Sequence, residues 1–407
     1  MSEQRVPTPT KQSPICKIIL AVLLLVQASL LAYLSWATSP NRTEVGHIGA
    51  AVYFWNFYKF DVFHVNPPLT RIIAGVPIVL FCSPKYDWKA YSPRPQDRSE
   101  WRLGSAFINV NELDDLRLYV FLMRLACIPL VLMGGYFGYR FASELYGEWS
   151  GVIFAILWTF SPLVLGWGAT ICPDVAAASM GIVGLYTLWH WLKNPNWQKV
   201  VIAGVCLGLM SLTKTTWIIA FPVWCLLFVV WKFWRKQDEP RLPFRQFATL
   251  LLIAICVINT GYFYDGSLRL LKDYTFISGA LTGEEVTKGT PVKPGNRFAD
   301  SWVGYTPVPL PGEFVQGIDT QKLDFERGME SYLHGVWSDR GFWNYYFYVA
   351  ALREPLGVWA LALLAITTPL YVRELRVNFR NELVAILMGT LVFAFVSSQT
   401  GFSIHPR

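Results

Sequence analysis

Charge is scarce in this 407-residue chain. Asp, Glu, Lys and Arg make up 15% of it, against about 25% in soluble domains. With 53% hydrophobic residues and a mean hydropathy of +0.35, that scarcity excludes an ordinary soluble globular domain. Histidine is rarer still, at five residues, and the seven cysteines show neither a CxxC nor a Cys/His spacing, which excludes a structural zinc site. Cys16, Cys127, Cys206, Cys225 and Cys256 fall inside apolar runs, where cysteine is a small packing residue. Cys82 and Cys172 remain as two that could pair. There is no internal repeat, and none of the paired broken helices that mark secondary transporters. The net charge of +7 does not point to nucleic acid, because the basic residues lie in short stretches between apolar runs, the pattern that membrane topology imposes.

What the chain has in quantity is apolar sequence. Residues 1–17 are polar and basic and read as a cytoplasmic tail. Ile18–Trp36 follows without a charge. Ser35 and Ala37 loosely fit a signal-peptidase site, but such a peptide has a shorter apolar region, about 7–15 residues, so the segment reads as an uncleaved first span. Further runs are Leu118–Tyr139, Ser150–Trp167, Val175–Leu192, Val200–Thr213, Thr215–Trp231, Phe247–Tyr264, Leu356–Val372 and Leu383–Gly401. The Val200–Trp231 pair is read as a hairpin broken at Lys214, rather than one tilted helix, because a lysine in mid-helix is costly in lipid. Ile72–Cys82, interrupted by Gly75 and Pro77, is too short to span and is placed along the interface.

The fold expected is therefore an all-α polytopic membrane protein of about nine transmembrane helices, with one transmembrane domain over residues 18–407. The N-terminus inside puts the basic loops Lys232–Arg245 and Arg373–Arg380 inside as well. Two long polar segments, residues 37–117 and 265–355, then face outward. The second contains a Gly/Pro-rich part, residues 287–314, expected to be irregular, and ends in an aromatic group suited to the interface.

Candidate chemistry gathers in Asn41–Leu69, which holds Glu44, His47, Asp61, His64, Asn66 and a Pro67-Pro68 turn. The topology brings Arg124, Asp174, Lys214, His405 and Arg407 to the same outer face. Ionisable groups within or beside a membrane are costly, and their convergence suggests a functional cavity. Each has a structural alternative. Glu44 can cap a helix, Asp174 after Pro173 can do the same, Lys214 can snorkel from a hairpin tip, and Arg124 can pair with another helix. His190 falls at the other face.

The order of these motifs resembles the dolichyl-phosphate-mannose–protein mannosyltransferase and aminoarabinose transferase group, membrane glycosyltransferases of the GT-C fold. The matching text is Thr43-Glu44-Val45-Gly46-His47, then Asp61 and Asn66-Pro67-Pro68-Leu69. Asp174, GLMSLTKTT around Lys214, GFWNYYFYVAALREPLG and Ile404-His405-Pro406-Arg407 continue it. Thr43 stands where the family carries an aspartate, and Asn66 where it has His or Lys. The chain also stops where the family runs on, so it reads as truncated.

The resemblance implies transfer of a hexose or pentose from a polyprenyl-phosphate sugar to an acceptor hydroxyl on a protein, lipid or glycan. It implies a bacterial inner membrane, with the site facing the periplasm or exterior. Such chemistry needs a base for the hydroxyl and cations for the departing phosphate. Glu44 is assigned as base, with Asp61 as alternative or helper. Arg124, Lys214 and Arg407 are candidate phosphate partners, while His47, Asn66 and His405 line the substrate. Asp174 and His64 orient substrate or bind a divalent metal ion, the one candidate cofactor. A flippase for lipid-linked sugar and a catalytically degenerate homologue are the rival readings.

Overall fold

The computed structural model describes residues 13–92, 94–234, 239–289, 291–328, 330–339, 341–372 and 379–398. The first charge-free run forms helix α1, Pro14–Ala37, opened by a proline at its first position, where the missing N–H is not needed. After a short break come α2 (Arg42–Phe57) and α3 (Leu69–Phe81). The thirteen-residue α3 covers the run expected at the interface and packs on α2. Next are α4 (Ser99–Val110) and the long α5 (Leu113–Tyr146).

Pro162 ends the following helix by the clash that every proline imposes on the residue before it. It separates α6 (Glu148–Phe160) from α7 (Pro162–Gly168), and the two are bent by 54°. The bundle continues with α8 (Asp174–Lys193), α9 (Trp197–Ser211), α10 (Ala220–Phe233) and α11 (Phe244–Gly261). The expected break at Lys214 is present. Its backbone is extended, at φ −152° and ψ 136°, and a 3₁₀ turn, Thr215–Ile219, leads into α10.

Among the described residues, five helices are long and apolar enough to cross a membrane, or up to seven if each bent pair counts as one span. The chain is thus a polytopic helical membrane protein, and this measure does not reach the expected nine. Part of the shortfall is a matter of length. The fifteen residues of α9 rise only about 22 Å, against a hydrocarbon core of about 30 Å.

The long segment after α11 is not a bare loop. It carries α12 (Gly279–Thr282), α13 (Gly312–Arg327), a small hairpin of β1 (Ser331–Leu333) and β2 (Val336–Ser338), and α14 (Tyr345–Arg353). The Gly/Pro-rich part before α13 contains one short 3₁₀ turn, Trp302–Tyr305, and is otherwise irregular, as expected. Helices α15 (Leu356–Tyr371) and α16 (Phe379–Ser398) follow.

The largest core is built by α8 to α11 around Trp189, Trp191, Trp224 and Phe247. Cys82 and Cys172 are not joined. Cys82 lies at the edge of a cluster beside Tyr86, and Cys172 is buried near the Asn41 side chain.

Candidate active site

Two ends of the bundle can be told apart by their hydrogen bonds. At one end, Arg124 of α5 reaches the carbonyls of Ser35 and Thr38 past α1, the Leu69 N–H of α3 donates to the Leu212 carbonyl, and Thr215 Oγ1 donates to the Val65 carbonyl. At the other end, His190 of α8 meets Glu144 of α5 at 2.9 Å. Glu44, Arg124, Asp174 and Lys214 share the first end with the Asn66-Pro67-Pro68 turn. His190 does not, as its sequence position implied. His405 and Arg407 lie outside the described residues.

Glu44 starts from a local motif. Asn41 is the N-cap of α2, its side chain accepting from the Glu44 N–H, while Glu44 reaches back to the Asn41 N–H. This is a capping box, which satisfies two otherwise orphaned helix N–H groups. The carboxylate then takes three more donors. Arg124 binds it bidentately, Nη2 to Oε2 at 2.6 Å and Nε to Oε1 at 2.8 Å, and the Ile171 N–H donates to Oε1 at 3.0 Å. A carboxylate has about four acceptor sites, and all four are taken here, in a side chain with no solvent exposure.

Arg124 is equally committed. Its remaining N–H groups go to the carbonyls of Ser35, Thr38 and Ser39, which leaves no donor for a phosphate. The pairing and capping alternatives for these two residues describe their geometry in full.

Asp61 is placed differently. It lies half-buried in the turn after α2, where Oδ2 accepts from the Tyr91 hydroxyl at 2.6 Å. Among the described residues its Oδ1 is buried without a hydrogen bond, and the Tyr53 phenol also interacts with the carboxylate. Tyr91 stacks on Tyr53, with ring centroids 5.2 Å apart and planes 14° apart. Burial, followed by the hydrogen bond with Tyr91 and the Asp61 charge, pushes the Tyr53 phenol above its ordinary value. Burial and the hydrogen bond to Asp61 raise Tyr91 as well. Both phenols therefore stay neutral donors around the carboxylate.

Lys214 Nζ contacts Asp174 Oδ1 at 2.7 Å, with 29% of the lysine side chain exposed and the aspartate almost wholly buried. Lys214 is thus not a free snorkel but an ion-pair partner of Asp174. His47 packs its ring 4.6 Å from that of Phe63. His64 Nδ1 lies 2.6 Å from Glu313 Oε2 of α13. For the metal expectation, no group of three His, Cys, Asp or Glu side chains able to hold an ion occurs among the described residues, so no step is assigned to a metal.

Three participants escaped sequence reasoning. Glu313 sits in the far loop, 249 residues from His64, and no spacing links the two. Tyr91 lies in an unremarkable polar stretch. Arg71 is 3% exposed, donates to the Phe63 carbonyl at 2.8 Å, and is brought down to about 10 by burial. Its position in a short apolar helix was the available signal, since a buried cation needs a reason to be there.

A second contact joins the two polar segments. Arg98 donates to both oxygens of Asp324 in α13, at 2.9 and 3.0 Å, and to Glu100 Oε1 at 2.6 Å. The two long segments are therefore docked over the same end of the bundle.

No curated protein matches the chain. Residues 119–260 match the family model described as dolichyl-phosphate-mannose-protein mannosyltransferase. That stretch contains Arg124, Asp174 and Lys214 and stops short of Glu44, Asp61 and His64. Through this central third the chain is similar to the dolichyl-phosphate-mannose-protein mannosyltransferases, and so to the membrane glycosyltransferases of the GT-C group that its motifs resemble.

Proposed function

We propose that the protein transfers a sugar from a polyprenyl-phosphate donor to an acceptor hydroxyl, with Asp61 as the base, at the membrane face that carries the two polar segments. The proposal assigns that face to the exterior. The observation that supports it is the Asp61 carboxylate, whose Oδ2 accepts from Tyr91 while its Oδ1 has no hydrogen bond among the described residues.

In the reaction the acceptor oxygen bonds to the anomeric carbon as the bond from that carbon to the phosphate oxygen breaks. The hydroxyl proton passes to Asp61, and polyprenyl phosphate leaves with the electron pair. The leaving phosphate is a weak base and needs no proton, so one carboxylate is enough. Lys214, positioned by Asp174, is the cation placed to hold the phosphate. Glu44 and Arg124 are positioning residues that lock α2 against α1 and α5, which sets the turn that carries Asp61.

Incubation of membranes containing the chain with polyprenyl-phosphate sugars labelled in the sugar tests this reading. Label is expected in an acceptor, and Asp61→Asn is expected to abolish it. Movement of intact donor across the bilayer without bond cleavage would support the flippase reading instead.

A further inference from the structure

A cleft of about 450 Å³ opens between the two polar segments. Its size falls in the range of about 300–1,000 Å³ usual for small-molecule sites. His64, Arg94 and Gln96 form the wall from the first segment, and Arg269, Glu313 and Gln316 line the other. Gln316 has an unmet need. Its Nε2 donates to the Thr275 carbonyl at 3.0 Å, which fixes the amide, while its Oε1 is buried without a donor among the described residues. Buried acceptors of this kind call for a partner.

The charges of the cleft decide what that partner is. Two arginines, Arg94 and Arg269, and two carboxylates, Asp265 and Glu313, line the cleft, with Arg94 already paired to Asp97 and Glu313 to His64, so the walls offer no excess of formal charge to attract a phosphate or a basic peptide. What remains is a dense mix of donors and acceptors beside the apolar surfaces of Pro95, Ile277 and Pro294. That combination suits a neutral sugar, which has hydroxyls around its edge and C–H groups on its faces. The cleft is tied to the proposed base through the chain. Asp61 stands three positions before the cleft-lining His64, at most about 11 Å of extended chain.

We infer that this cleft is a saccharide subsite that binds the acceptor, a neutral glycan, and presents one of its hydroxyls to Asp61. The inference rests on the transferase reading for the role of the bound sugar, but the binding itself can be tested separately. The full chain in lipid nanodiscs is titrated with maltotriose, cellotriose and mannotriose, followed by saturation-transfer NMR. Mannose 6-phosphate and a Gly-Ser-Gly peptide are titrated in parallel.

Saturable binding of at least one neutral trisaccharide is expected. Gln316→Leu should weaken it about 5- to 10-fold, as loss of one hydrogen bond would. Gln96→Ala should weaken it too, and serves as the readout if Gln316→Leu does not fold. No saturable binding by any neutral trisaccharide, or binding indifferent to both glutamine variants, overturns the inference. So does binding of the phosphosugar or the peptide in place of the neutral sugars. Sugar binding without any transfer would remove the transferase reading and leave the cleft. Transfer to a lipid or peptide acceptor, unaffected by Gln316→Leu, would remove the cleft and leave the transferase.

Discussion

Arg124 grips Glu44 through two hydrogen bonds of 2.6 and 2.8 Å at a point where neither side chain is more than 1% exposed. Breaking a buried pair of this kind costs about 3–5 kcal/mol, because the surviving charge is left without compensation. Glu44→Gln is therefore expected to lower the thermal unfolding midpoint of the purified protein markedly. If Glu44 acted only as a base, the same substitution would remove transfer and leave the melting curve in place.

Asp61→Asn should show the reverse pattern. Removing a general base costs typically about 10²–10⁴-fold in rate, and a half-buried side chain in a turn has little to lose in stability. Transfer assays and thermal melts on the same preparation separate the two carboxylates. Tyr91→Phe should lower the rate less than Asp61→Asn does, because it leaves the carboxylate in place and removes only its orienting donor.

Lys214→Ala is expected to raise KM for the lipid-phosphate donor about 10- to 100-fold, the worth of one charge-assisted hydrogen bond. The KM for the acceptor should stay where it is. An unchanged donor KM would return Lys214 to a purely structural partner of Asp174.

Docking of the two polar segments depends on Arg98. Arg98→Ala leaves Glu100, whose side chain is only 1% exposed, without its cation. Amide hydrogen exchange in α13 should accelerate, and the loss of stability should approach about 3–5 kcal/mol. Adding Glu100→Gln removes the stranded charge and should recover part of that loss, which a double-mutant cycle measures.

The crossing of α2 and α4 is a close backbone contact. A Cβ on Gly104 would fall on the Val45 carbonyl oxygen, and one on Gly49 would meet the backbone of Glu100 and Gly104. Gly104→Ala is expected to destabilise by at least the about 1–3 kcal/mol typical of overpacking. Gly166→Ala, where nothing lies within 4 Å of the added atom, should melt like the parent chain.

Much of the architecture was legible because it is written in local pattern. The charge-free run became α1, the lysine at 214 broke the chain where a charge in mid-helix would be costly, and the short run around Gly75 and Pro77 became the thirteen-residue α3. Asn41 and Glu44, three residues apart, form the capping box, one of the alternatives that their spacing allows. The span count was less legible, since apolar runs such as those of α9 and α16 look alike in composition whether or not they reach across a bilayer.

The sequence by itself determined that this is a membrane protein of helices with its polar chemistry gathered toward one end, because hydrophobicity and periodicity act over neighbouring residues. Only the tertiary structure decided which carboxylate has all its lone pairs taken and which does not. Glu44 and Asp61 are both acids in one polar stretch, and nothing in their spacing distinguishes them. The difference lies in partners brought from far along the chain, Arg124 and Ile171 for Glu44, and in the absence of any such donor at Asp61 Oδ1 among the described residues. How many lone pairs of an acidic side chain are left vacant is set by packing, which spacing along the chain does not reveal.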